Sequence, residues 1–218
     1  ISVQRFNADG TLEGTRITAA SIDDGIGISF VGRKVLDPAV AINESGAFVV
    51  SYTVVSSNTG PVSVQAARFS ATGMAGTTTS SMTSANTTAS DVAIDSAGNF
   101  VITCTKFDGT QDDIVGQRFN SAGVAQGSEF PVNTFTDGDQ TASTVAMNTS
   151  GGFIASWASA TQDPDGSSGV YAQRFDLAGV TVGGEFAVNT FTAGTQTDPS
   201  VAINPDGIFL SNGPGDPA

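Results

Sequence analysis

The chain has 218 residues, enough for one sizeable hydrophobic core. Eight Lys and Arg stand against 21 Asp and Glu, and the formal net charge is −13. That balance argues against a nucleic-acid partner and against an anionic membrane surface, because both are held mainly through Lys and Arg. By itself the acidity reads as a solvated exterior. A single cysteine, Cys104, excludes an intramolecular disulfide. No apolar run approaches the ~20 residues of a membrane-spanning helix. The chain opens on Ile1 without a leader and is expected to be a processed product or an excised piece. Few lysines among many Thr, Ser, Asn and Gly point to secretion.

In chain order, two kinds of segment alternate. Val3–Gly10 reads VQRFNADG, and after an irregular stretch read as an insertion around Ser21–Leu36 comes PAVAINESGAFVVSY (Pro38–Tyr52). The first kind returns as AARFSATG (Ala66–Gly73) and the second as SDVAIDSAGNFVITC (Ser90–Cys104). GQRFNSAG (Gly116–Gly123), STVAMNTSGGFIASW (Ser143–Trp157), AQRFDLAG (Ala172–Gly179) and PSVAINPDGIFL (Pro199–Leu210) follow. Repeats are therefore placed at approximately 1–63, 64–113, 114–169 and 170–210, with 211–218 an irregular tail.

Every segment carries Asn, Asp or Ser with a glycine three positions later. The openings are Asn7, Asn43, Ser70, Asp95, Asn120, Asn148, Asp176 and Asn204; the last of the eight glycines is Gly207. This is type I turn chemistry: the side chain accepts a main-chain hydrogen bond, and glycine supplies the left-handed residue that returns the chain to a strand. Alternating apolar residues on both sides, as at Val40–Ile42 and Phe48–Val50, predict hairpins.

Each repeat thus supplies two hairpins. The predicted fold is all-β: a single-domain β-propeller of four repeats, each of four antiparallel strands, in which stacking buries the sheet faces. The pattern of YAQRFD, EF.VNT and PSVAI…G.F..SW resembles tandem repeats of secreted bacterial propeller-like proteins along essentially the whole chain. The resemblance implies this fold and an extracellular or cell-surface setting, and it brings no catalytic residues. The eight recurring phenylalanines (Phe6, Phe48, Phe69, Phe100, Phe119, Phe153, Phe175, Phe209) are expected in the core.

The ending is different. Gly207–Ala218 resembles a strand–turn stretch of class I glutamine amidotransferases, especially the small subunit of carbamoyl-phosphate synthetase. That chemistry needs a thiolate activated by histidine. The chain has no histidine, and Cys104 occupies a strand position taken by Tyr52 and Trp157 in the sister repeats. Amidotransferase activity is excluded, and the outer strand of the last repeat is cut short at a Gly-Pro turn.

The candidate binding residues are the repeat arginines Arg5, Arg68, Arg118 and Arg174, with Trp157 and Tyr52 at strand ends. The arginines read either as a ring that holds anionic or sugar ligands, or as inter-blade packing groups paired with carbonyls or carboxylates. The aromatics could stack on a sugar. Calcium is the one candidate ion: Asp108, Asp112 and Asp113 lie in FDGTQDD, and Asp163 and Asp165 in TQDPDGSSG. These acids read equally as solvated turn aspartates. FTDGDQ (Phe135–Gln140) carries less weight, since its sister FTAGTQ has neither acid.

The expectation is a non-enzymatic extracellular binding or scaffold module, without a catalytic site, for a glycan or protein ligand. Self-association through an incomplete terminal blade belongs to the same reading. The alternative is a carboxylate-based polysaccharide hydrolase on a propeller scaffold.

Overall fold

The structure is a computed structural model, and it describes residues 1–19, 34–55, 62–76, 80–82, 86–190, 192–204 and 207–211. Most of the insertion read at Ser21–Leu36 lies outside the described residues, as does the tail from Asn212 onward. No helix occurs among the described residues, and none is long and apolar enough to cross a membrane.

The chain is a β-propeller in which sheets of four antiparallel strands follow one another in sequence order. β1 (Ser2–Phe6) and β2 (Leu12–Thr18) form a two-stranded sheet. The first full blade is β3 (Lys34–Ile42), β4 (Phe48–Val55), β5 (Val62–Phe69) and β6 (Ser80–Ser81). The second is β7 (Thr87–Ile94), β8 (Phe100–Phe107), β9 (Asp112–Phe119) and β10 (Phe130–Pro131). The third is β11 (Gln140–Met147), β12 (Phe153–Ser159), β13 (Gly169–Phe175) and β14 (Phe186–Ala187). β15 (Ser200–Asn204) and β16 (Gly207–Ser211) make a second two-stranded sheet.

The turn chemistry holds at seven of the eight openings. At each, the glycine N–H returns to the opening residue's carbonyl, from Gly10 to Asn7 through Gly179 to Asp176. These seven glycines all have positive φ, as at Gly46 (82°) and Gly151 (92°). The eighth hairpin departs. In the full blades Ile42 faces Phe48, Ile94 faces Phe100 and Met147 faces Phe153. In the last hairpin Ile203 faces Ile208, and Phe209 faces Ala202. The register has slipped by one residue, which turns alternate side chains to the other face. Between the paired Asn204 and Gly207 stand Pro205 and Asp206, both outside the described residues.

The core lies between successive sheets. The second strand of each full blade is covered on both faces and is correspondingly apolar along its length, as in FIASWAS, buried throughout. One cluster joins Val49, Val64 and Ala66 to Val92, Phe100, Ile102 and Cys104; another joins Val101 and Ile114 to Val145, Phe153, Trp157 and Tyr171. Within each blade the recurring phenylalanines stack: Phe48 on Phe69 at 4.7 Å, Phe100 on Phe119 at 4.9 Å, Phe153 on Phe175 at 4.8 Å. Two of the eight are not core. Phe6 is 58% exposed, since among the described residues β1 pairs with β2 and with no second strand that would carry a stacking partner, and Phe209, which the slipped register turns to the other face, is 60% exposed.

Sequence patterning gave no sign of one recurrent feature. The first strand of each full blade contains a residue with positive φ that is not glycine, Asp37 (50°), Ala89 (47°) and Ala142 (54°), and Asp198 (55°) stands two residues before β15. In the three full blades this coincides with a register shift.

Candidate functional site

Antiparallel order places all the Asn/Asp/Ser turns at one end of the blades. The loops between second and third strands, and those between blades, gather at the other end. The two ends have different chemistry.

On the turn face the repeat arginines act between blades. Arg5 donates from Nη1 to the carbonyl of Ala71. Arg68 donates to Ser121 at 2.5 Å, and Arg118 to Leu177 at 2.8 Å. The three acceptors occupy one equivalent turn position, so each arginine clasps the next blade; Arg5 also pairs with Glu13 at 3.3 Å. Arg174 is exposed, and its guanidinium donates to none of the described residues. Clefts lie between the blades on this face. One of them, about 400 Å³, is lined by Asn43, Phe48, Arg68, Met74 and Ile94 among others. It and its two smaller equivalents, at Arg118 and at Arg5, bring no two carboxylates together.

Trp157 is fully buried and Tyr52 is 5% exposed, so neither offers a ring for sugar stacking. Trp157 donates from Nε1 to Oε1 of buried Gln140 at 3.1 Å. Both side chains point from a second strand into the space between blades, where the large apolar faces must go.

The loop face holds the acids. Asp108 caps its own turn, accepting the N–H groups of Thr110 (2.7 Å) and Gln111 (3.0 Å), and these bonds hold its carboxyl below the ordinary range. Asp165 does the same, accepting from Ser167 Oγ and N and from Gly194 N, with its affinity for the proton lowered by the same cause. Asp163 is buried, and its two oxygens accept from Tyr171 Oη (3.0 Å) and Asn189 Nδ2 (3.0 Å). Burial, with Asp163 alongside, pushes the Tyr171 phenol up to about 12. Asp113 accepts from Asn133 Nδ2 at 2.8 Å. These aspartates are engaged in separate turns and networks, and among the described residues no three Asp, Glu or Cys side chains converge as a metal-ligand set.

Asp112 is the exception. Its main-chain N–H donates to Oδ1 of Asp139 at 3.1 Å, which brings together the start of β9 and the residue just before β11. Burial, then Asp139, Asp113 and Asp108, all push the Asp112 carboxyl up. A carboxyl that holds its proton more tightly than an ordinary aspartate thus belongs to the residue beside exposed Asp139, which carried less weight in the sequence because its sister loop has no acid. A second carboxyl, Asp91 on β7, is also shifted upward by burial, and it accepts the Val145 N–H at 2.8 Å.

Asn133 and Asn189 are further residues that sequence reasoning missed. Each accepts the N–H of a third-strand residue, Ile114 (2.7 Å) and Val170 (2.8 Å), and so ties an inter-blade loop to its sheet. The near-identical GSEFPVNTFTDGDQ and GGEFAVNTFTAGTQ contain both, which was the available signal.

No protein-family model matches the sequence, and no curated protein matches it significantly. Solved structures do match in fold. Endo-arabinase from Bacteroides thetaiotaomicron superposes with a TM-score of 0.50 at 16% identity, over 95% of this chain and 78% of that one. A family 117 glycoside hydrolase produced by the marine bacterium Zobellia galactanivorans superposes with a TM-score of 0.57 at 13% identity, over 90% of this chain. This chain spans 66% of that enzyme. The class is a β-propeller, and the two solved structures named are enzymes, an endo-arabinase and a glycoside hydrolase. This overturns the expectation of a non-enzyme. The missing histidine had carried that expectation, and hydrolysis by paired carboxylates needs none.

Proposed function

We propose that the chain is the propeller of a carboxylate-based hydrolase acting on polysaccharide outside the cell, with residues 1–218 as one domain. The observation that carries this reading is the Asp112–Asp139 pair. Glycoside hydrolysis needs one carboxyl that holds a proton to give to the leaving oxygen and a second that stays ionised, and neighbouring environments that differ supply the difference. Asp112 is the proton donor. Asp139, exposed at the entry to a first strand, acts as base or nucleophile. The fold shared with endo-arabinase supports the substrate class and makes arabinan the first polysaccharide to try.

The test is release of reducing sugar from arabinan and a panel of other polysaccharides, run with calcium and with chelator. Wild type should release sugar, and Asp112→Asn and Asp139→Asn should each lose about 10²–10⁴-fold while staying folded. Calcium-dependent release would add the acidic loops as an ion site. No release from any polysaccharide in either buffer, or full activity in both variants, would sink the proposal.

A further inference from the structure

A residue that recurs in every blade serves the packing of the blade itself. Three residues at the junction of the second and third full blades do not recur. Phe107 ends β8, Asp112 begins β9, and Asp139 stands just before β11. The equivalent positions one blade earlier hold Val55, Val62 and Asn86, and one blade later Ala160, Ser168 and Thr195. The stacked phenylalanines, by contrast, are present in all three full blades. Blade packing therefore does not call for an aromatic ring at Phe107.

Phe107 and Asp112 are directly opposed across the β8–β9 ladder. Opposed residues of an antiparallel pair share one face of the sheet, with Cβ atoms about 4.5–5.5 Å apart. The Phe107 ring is 47% exposed, whereas Phe100 and Phe119, at the other ends of the same two strands, are 1% and 2% exposed. The backbone beneath the ring is tied down. Gln111 Nε2 donates to the Thr136 carbonyl, and the Asp112 N–H donates to Asp139 Oδ1 at 3.1 Å. From the third blade, the Ala160 N–H donates to the Asp139 carbonyl at 2.9 Å. An exposed ring and two carboxyl groups are thus carried on strand ends that hydrogen bonds already hold in place.

The surrounding charge decides what can lie on that ring. Asp108, Asp113 and Asp139 all act on the Asp112 carboxyl through space, and Asp137 shares a loop with Asp139. Lys106 is the one cation in residues 106–113 and 134–140. A glycan bearing uronate or sulfate groups would meet like charge here. A neutral sugar ring meets none: its C–H face suits an apolar aromatic surface, and its hydroxyls can donate to carboxylates. We propose that Phe107 is the stacking platform for a sugar ring of a neutral polysaccharide, beside the Asp112–Asp139 pair, and that the aspartates around it select uncharged over acidic glycans. This rests on the reading of that pair as the hydrolytic site.

Affinity electrophoresis tests this, in gels carrying neutral arabinan or galactan, or anionic polygalacturonate, with chelator present so that calcium cannot bridge acid to acid. Wild type should be retarded in a neutral gel and not by polygalacturonate. Phe107→Ala should weaken the retardation about tenfold, the size of one aromatic stacking contact, and Phe107→Tyr should keep it. In hydrolysis Phe107→Ala should raise KM about tenfold and leave kcat within about twofold. Equal retardation of wild type and Phe107→Ala, no retardation in either neutral gel, or retardation by polygalacturonate alone would overturn the proposal. The two readings separate. Retardation through Phe107 without release of sugar would count against the hydrolase alone, and release with an unchanged KM in Phe107→Ala would count against the platform alone.

Discussion

Arg118 on β9 donates from Nη1 to the carbonyl oxygen of Leu177, 2.8 Å away in the next blade, and its Nε would lie 2.8 Å from a Cβ at Gly179. The guanidinium is thereby held between two blades, with the glycine making room for its stem. Arg118→Ala should cost about 1.5–3 kcal/mol, the worth of a hydrogen bond from a charged donor. Arg118→Lys should recover part of it, lacking the planar fork. Gly179→Ala should destabilise as well, since φ is 80° and the methyl meets Arg118. Thermal unfolding checks all three; an unchanged melting point for Arg118→Ala would remove the clasp from the account.

Phenylalanines that look equivalent in sequence should differ sharply in energy. Phe119→Ala removes a ring that is 2% exposed and stacked on Phe100, and should cost about 3–5 kcal/mol. Phe6→Ala removes a ring that is 58% exposed and should stay within about 0.5 kcal/mol. Denaturant titration of the two variants measures the contrast directly.

Asp112 and Asp165 should respond to pH with opposite signs. Asp112 binds its proton more tightly when folded, so its ionisation opposes folding; the penalty is absent below the ordinary carboxyl value of 3.8 and full above the raised folded value. Asp112→Asn should therefore gain stability over wild type as pH climbs from 3.8 through that window. Asp165 binds its proton less tightly when folded, so its contribution is full above 3.8 and fades as pH falls through the lowered value. Asp165→Asn should be less stable at neutral pH and converge with wild type in acid. Denaturation curves at a series of pH values would reveal either sign reversed.

Trp157→Phe keeps the ring's bulk but deletes the donor to Gln140, leaving a buried acceptor unmatched; about 1–3 kcal/mol should be lost. With its ring fully buried, the same variant should leave glycan binding unchanged. Equilibrium unfolding, with a glycan-binding assay alongside, separates the two roles.

Cys104 is buried, and its thiol is shifted far upward by that burial, with Glu129 nearby adding to the effect. It should resist thiol reagents in the native protein and react once denaturant unfolds the chain. Rapid labelling without denaturant would contradict the packing between the first two full blades.

Local chemistry made much of the architecture legible. A turn opener with glycine three positions later, flanked by alternating apolar residues, specifies a hairpin through contacts only a few residues apart. Eight such signals in two alternating kinds are enough to give repeats, strand order and the propeller class. They also place Cys104 with Tyr52 and Trp157 on one strand position. What depends on distant partners was not legible. Phe6 and Phe119 share a motif, yet among the described residues only Phe119 has a neighbouring second strand to stack against. The slipped register of Ile203 and Ile208, the positive φ at Ala89 and Ala142, and the burial of Trp157 all arise where sheets meet. So does the meeting of Asp112 with Asp139. Hydrogen bonds within a turn are written in adjacent residues, whereas exposure, proton affinity and the pairing of side chains depend on which surfaces the closed sheets bring together.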